Sequence, residues 1–296
     1  MYPYGQERSR SRAERQLTYE AREARMPDAI NVAEYLGRIG LARAISVDAE
    51  SLRRLQYAHL MRVPFENLDI HLARPIRLDL ASLWEKIVIR RRGGFCYELN
   101  GLFACLLTSL GFQVNLLSAR AAHREGGFGP AFDHLALRVD LDQPYLVDVG
   151  FGDAFLEPLR LTAGVEQNDP RKTLLLTRAA DDWLVRERVS DGNWKPLYLF
   201  TLVPRSIDDF AEMCRYHQTS PESHFTRGTI CSIATSAGRV TIGGDRFIET
   251  REGDRTERLI QNETELRTLL AEHFGVTGID RDLLPRRDAV AGGLAL

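Results

Sequence analysis

The sequence predicts an α+β protein, and three observations carry that prediction. Residues 28–110 bear apolar side chains at helical spacing, residues 112 to about 250 change to a period of two, and residues 263–275 return to helical spacing. At 296 residues the chain can form one large domain or two to three small ones. Its composition, 44% hydrophobic and 27% charged, is that of a soluble globular protein. Lys+Arg 39 against Asp+Glu 41 leaves a formal net charge of -2, so no global basic field recommends nucleic acid or an anionic membrane as partner. No stretch approaches the roughly 20 consecutive apolar residues that span a bilayer. A soluble, cytoplasmic protein is expected.

Residues 1–27 form a polar, basic extension without the apolar run of a secretory signal, and Met26 could itself be a start. In PDAINVAEYLGRIGL, Val32, Tyr35, Leu36 and Ile39 repeat at i, i+3, i+4 and i+7, with Gly40 placed to end the helix. SVDAESLRRLQYAHLMRV offers Ser46 as a cap, Asp48 and Glu50 in the first turn, then Leu52, Leu55 and Leu60, and Pro64 stops it. Strands are expected in QVNLLSARA, HLALRVDL, YLVDVG, TLLLTRA, WLVRERV and RVTIGGDRFIET, separated by Gly, Pro and Asp turns. Short strands so spaced suggest a small barrel or a sandwich. ETELRTLLAEHFG closes the chain with Leu266, Leu269, Leu270 and Phe274 on one helical face and Gly275 behind them.

RRGGFCYELNGLFACLLTSLG, residues 91–111, raises the chemical question. After Cys96, the residues Leu99, Leu102, Phe103, Leu106, Leu107 and Leu110 mark one helical face, and Gly111 is placed as a C-terminal cap. Cys96 then sits in the first turn, where free backbone N–H groups and the helix dipole favour an anion, so its pKa is expected to fall. Gly93 and Gly94 suit a tight turn that lets another backbone or a ligand close to the sulfur. The plainer reading is an inert core thiol, the usual fate of free cysteine. Cys105, nine residues on, has no such setting and is expected in the core. Cys214 with His217, or His224 with Cys231, match no established zinc spacing, and no disulfide framework is expected.

A nucleophilic thiol needs a base, and the base needs a third group to orient it. In FDHLALRVD, His134 points away from Leu135, Leu137 and Val139. If HLALRVD and YLVDVG form a hairpin centred on residue 141, His134 and Asp148 stand directly opposite each other on one face. The plainer alternative is a histidine at a strand end and an aspartate in a turn. The glycines at 126, 127 and 129 in REGGFGPAFD do not make a Walker or dinucleotide loop; they read as a flexible hairpin loop, or as N–H donors to a phosphate or acyl oxygen.

Taken together, RGGFCYELNG (92–101), VPFENLDIH (63–71), DHLALRV (133–139), VDVGFG (147–152) and TSPESHFTRGTICS (219–232) resemble the arylamine N-acetyltransferases. The likeness keeps the family's motif order from about residue 28 to about 275. It implies a triad of Cys96, His134 and Asp148, arranged as in cysteine proteases. The activity implied moves an acetyl group from acetyl-CoA to an arylamine, arylhydrazine or N-hydroxyarylamine through acetyl-Cys96, without metal. The architecture implied is a helical domain over 28–111, a β-barrel over 112–210, and an α/β lid with the C-terminal helix over 211–296. Phe65, Phe151 and Phe225 match pocket aromatics, with core packing as their plainer role. Gly126, Gly127 and Gly129 match the loop that approaches the CoA pyrophosphate, and Arg92 and Glu66 match a structural ion pair. A homodimer is allowed. The rivals are a macrolactam-forming amide synthase of the same family, a papain- or transglutaminase-like hydrolase, and a non-catalytic binding module.

Overall fold

Helices dominate residues 31–109, as their spacing predicts. The computed structural model describes residues 30–284 apart from 43, 44 and 124, so the extension over 1–27 and the end of the expected lid lie outside the described residues. Helix α1 (Val32–Arg38) buries Tyr35 and Leu36. Helix α2 (Ala49–Leu60) is capped by Asp48, whose carboxylate accepts the Ser51 N–H at 2.7 Å, and not by Ser46. Asp48 is the residue that takes the extended backbone required just before the first turn, which Ser46 lies too early to do. Strand β1 (Phe65–Glu66), α3 (Leu68–His71) and α4 (Leu80–Trp84) follow, and a π-helical turn over Glu85–Ile89 leads towards α5 (Cys96–Ser109). Gly111, with φ +96°, ends α5 in the left-handed region that glycine alone enters at little cost.

Eight antiparallel strands make a nearly closed, barrel-like sheet. They are β2 (Gln113–Ala121), β3 (His134–Asp140), β4 (Pro144–Val147), β5 (Leu159–Arg160), β6 (Glu166–Asn168), β7 (Thr173–Ala179), β8 (Asp182–Arg188) and β9 (Trp194–Arg205), in the order β5-β4-β3-β2-β9-β8-β7-β6. The inward residues of the alternating pattern, among them Leu117, Ala136, Leu146, Leu174, Val185 and Phe200, form its core. Apolar burial on one face of each strand is what the period of two encodes.

A 3₁₀ turn (Ile207–Phe210), α6 (Ala211–Thr219) and α7 (His224–Arg227) lead to a second sheet. It holds β10 (Ile230–Ala234), β11 (Gly238–Gly243), β12 (Arg246–Arg251) and β13 (Asp254–Leu259), with β1 as its first strand: β1-β10-β11-β12-β13. Helix α8 (Glu263–Phe274) packs Leu266, Leu269, Leu270 and Phe274 against one face of this sheet. A two-residue strand from the N-terminal region therefore completes a sheet built from residues more than 160 positions later, since Phe65 pairs with Ser232. Among the described residues no helix is long and apolar enough to cross a membrane.

Candidate active site

Cys96 is the first residue of α5, as its sequence position predicts. Glu98, in the same turn, accepts the Phe95 N–H at 3.1 Å and so satisfies one of the helix's orphan donors. The two preceding glycines do not clear space for a ligand. A Cβ on Gly93 would overlap the Pro64 carbonyl, and one on Gly94 would press on the Glu98 side chain. Gly94 also pairs with Phe65, receiving the Glu66 N–H at 2.8 Å, so the glycines exist to let β1 lie against the turn that holds the thiol.

The thiol is buried, and its pKa is pushed up, against the fall expected from its place in the helix. Burial is the largest cause. The Leu135 N–H pulls the other way, and the charges of Asp133 and Asp148 add to the rise. A helix N-terminus stabilises an anion only locally, whereas removal from water penalises the thiolate outright.

His134 opens β3, and its Nε2 lies 2.7 Å from Asp148 Oδ2, both side chains being buried. The centre of the hairpin lies one residue beyond the expected one. Leu137 pairs with Val147 and Asp140 with Pro144, so the centre is residue 142 and His134 aligns with position 150. Asp148 is one residue beyond the last paired position of β4. It reaches His134 diagonally, because a shift of two residues along a strand keeps the same face.

The cost of burying the Asp148 carboxylate is met by donors. Its Oδ1 accepts Asn100 Nδ2 and the Gly150 N–H, both at 2.8 Å, and its own N–H is donated to Gln56 Oε1 at 3.3 Å. Asn100 also donates to the Leu135 carbonyl at 2.6 Å and accepts the Val149 N–H at 2.9 Å. Gly150 must be glycine, because a Cβ there would come within 2.7 Å of Cys96 Cα and of Asn100 Nδ2. Neither Asn100 nor Gln56 was singled out from sequence. Asn100 did leave a signal: it stands four residues after Cys96, a polar side chain within an apolar helix.

Cys96 and His134 line one cavity of about 480 Å³, and Phe65, Phe151 and Phe225 line it with them. Phe151 meets the His134 ring edge-on at 5.2 Å, and Phe65 tilts against Phe225 at 6.1 Å. Gly126, Gly127 and Gly129 do not line it. Gly126 and Gly127 are exposed with φ +97° and +81°, in a turn closed by the His123 N–H to the Gly127 carbonyl.

Arg92 and Glu66 do pair, at 2.7 Å, inside a larger buried cluster. Asp69 stands 3.1 Å from Arg92 and 2.9 Å from Lys86, and Lys86 lies 2.8 Å from Glu98. Burial alone would lower the Lys86 pKa, but Glu66, Glu98 and Asp69 raise it. Of the remaining cysteines, Cys214 and Cys231 are buried and Cys105 is only half-buried, so Cys105 belongs to the margin of the core rather than its interior. His217 is engaged by Ser223 at 3.0 Å and lies 3.2 Å from Asp133, which ties α6 to the residue before His134.

A buried thiol sharing a cavity with an imidazole that a carboxylate holds is the equipment of acyl-handling enzymes, transferases and hydrolases alike. Comparison with known proteins narrows that class. A family model described as N-acetyltransferase matches residues 48–282. The arylamine N-acetyltransferase of Mycolicibacterium smegmatis is 36% identical over 255 residues, covering 84% of this chain and 92% of that protein. The solved arylamine N-acetyltransferase of Salmonella typhimurium matches with a TM-score of 0.79 at 30% identity, over 86% of this chain and 94% of that one. The Mycobacterium marinum arylamine N-acetyltransferase in complex with CoA matches with a TM-score of 0.77 at 31% identity, over 83% and 92%. The chain belongs to the arylamine N-acetyltransferase family.

Proposed function

We propose that this enzyme moves an acetyl group from acetyl-CoA to the nitrogen of an arylamine, arylhydrazine or N-hydroxyarylamine, with Cys96 as the covalent carrier. The observation that carries this reading is the shared cavity of Cys96 and His134, with Asp148 holding the far side of the imidazole. With Nε2 turned to Asp148, Nδ1 is the nitrogen left to receive the Cys96 proton. Proton transfer creates thiolate and imidazolium together, which compensates the burial that otherwise keeps the sulfur neutral.

The thiolate adds to the thioester carbonyl carbon, and the Cys96 N–H at the start of α5 is the donor for the oxygen as charge develops on it. The C–S bond to CoA breaks, CoA leaves with its sulfur electron pair and takes the proton back from His134, and acetyl-Cys96 remains beside a neutral imidazole. The amine nitrogen then attacks the acetyl carbon while His134 takes its proton, and the thiol is restored as the Cys96–acetyl bond breaks. Asp148 orients the ring throughout. Phe65, Phe151 and Phe225 suit a flat acceptor, because aromatic rings give large contact area at fixed geometry.

Acetyl-CoA without an amine should add one acetyl group to the intact protein, read by mass spectrometry, and Cys96→Ala should abolish it. An acetylated Cys96→Ala protein, or a wild type that acetylates amines with no adduct on Cys96, would sink the mechanism. Peptide cleavage in the absence of CoA would favour the hydrolase instead.

A further inference from the structure

The wall of the cavity crosses the second sheet strand by strand. Phe65 on β1, Ile230 on β10, Gly243 at the end of β11, Ile248 on β12 and Glu257 on β13 all line the space that contains Cys96. The register explains this order. Phe65 pairs with Ser232, Ser232 with Thr241, Thr241 with Ile248 and Ile248 with Glu257, and the lining residues Ile230 and Gly243 stand two positions from Ser232 and Thr241, so one face of the sheet runs from the thiol end of the cavity to the last strand. Side chains in one such row share a face. Four strand intervals of about 4.8 Å put Glu257 roughly 19 Å from the β1 backbone.

Two arginines stand on that face at the far end. Arg246 on β12 and Arg255 on β13 both line the cavity, and both are held by Glu257, which takes one guanidinium on each carboxylate oxygen; the Arg255 contact is 3.0 Å. Asp245 lies 4.0 Å from Arg246 Nε, at the limit of an ion pair and outside the cavity wall. One carboxylate is thus shared by two guanidiniums in the wall itself. Each guanidinium carries five N–H donors in a planar fork suited to phosphate oxygens, and Glu257 takes one donor from each.

We propose that Arg246 and Arg255 bind the phosphate oxygens of acetyl-CoA, and that Glu257 holds the two side chains in place between turnovers. This rests on the acetyl-transfer reading above. The length of the row decides between ligands. A single-ring amine reacting at Cys96 is too short to reach β12 and β13, whereas the pantetheine arm of acetyl-CoA separates its thioester from its phosphates by a long chain. Gly126, Gly127 and Gly129 lie outside the cavity wall, so among the described residues that turn brings no side-chain donor to this path.

The test compares two thioester donors, acetyl-CoA and acetyl-pantetheine, the second lacking phosphates. The rate of Cys96 acylation is followed by quenched mass spectrometry in the full-length protein. Arg246→Ala and Arg255→Ala should each lower the acetyl-CoA to acetyl-pantetheine preference by about tenfold, as expected for a lost charge-assisted hydrogen bond. Glu257→Gln, which removes the negative charge that the two guanidiniums share, should raise that preference, an opposite sign that general damage to the sheet would not give. Added salt should shrink the wild-type preference. An unchanged preference in all three variants overturns the inference while leaving acetyl transfer intact. So does a defect confined to acceptors that carry a carboxylate, which would assign the arginines to the amine. Failure of both donors to acylate wild-type Cys96 brings down the transfer reading and this inference with it.

Discussion

Asn100 joins three separate pieces of chain, the Leu135 carbonyl, the Asp148 carboxylate and the Val149 N–H, from one buried side chain on α5. Asn100→Ala would strip partners from all three at once. Leaving buried polar groups unpaired costs about 1–3 kcal/mol each before relaxation, so a loss of about 3 kcal/mol in urea unfolding is expected, together with slower Cys96 acylation as Asp148 loosens. A variant as stable and as fast as wild type would remove Asn100 from the support of the His134–Asp148 pair. At this scale the sequence was readable for identity and blind to environment. Helix position and strand parity offer Cys96, His134 and Asp148 as candidates and the family resemblance joins them, but the direction of the Cys96 pKa is not in the sequence, because depth of burial is a property of the whole packing.

Helix α5 and the segment after β4 fit together through one missing side chain. Gly150 lies so close to Cys96 Cα and Asn100 Nδ2 that any Cβ must displace one of them. Gly150→Ala should therefore move the thiol relative to His134, and misplacement by about 1 Å can cost roughly a hundredfold in rate. The measurement is acylation rate beside melting temperature: a large kinetic loss with a small change in stability is expected, and an unchanged rate would contradict the packing argument. Elements with strong periodicity were legible. Helix α5 begins at Cys96 and β2 spans the stretch QVNLLSARA. Strand β13 was not, because an edge strand exposed along its whole length carries no apolar alternation. The β3–β4 hairpin is centred one residue beyond the expected position, since the turn's geometry sets the register and side-chain parity does not.

Across the whole molecule, the cluster of Lys86, Arg92, Glu66, Asp69 and Glu98 binds the π turn, β1, α3 and α5 behind the thiol. Its pH response follows from Glu98, whose carboxyl burial pushes up to about 7 despite the lowering pull of Lys86. An unfolded glutamate titrates near 4.5. Between the two values the folded protein keeps a proton that the unfolded chain has lost. This contribution to stability is therefore fully present below pH 4.5 and is lost as pH rises to about 7, by about 3 kcal/mol in all. Glu98→Gln removes that titration, so urea unfolding at several pH values across the window should show a flatter profile for the variant. Identical slopes would show that Glu98 does not carry the effect.

The order of elements, the helix that presents Cys96, the face shared by His134 and Asp148, and the motifs of the family were all determined by the sequence itself, because periodicity and local turn chemistry act over a few residues. Tertiary structure alone decided the rest. It joined β1 to a sheet formed by residues 230–259, made Gly93 and Gly150 points of backbone contact rather than room for ligand, surrounded Arg92 and Glu66 with three further charges, and carried the cavity wall out to Arg246 and Arg255. Those are contacts between segments distant in the chain, and no local pattern encodes which distant segment will fill a given face.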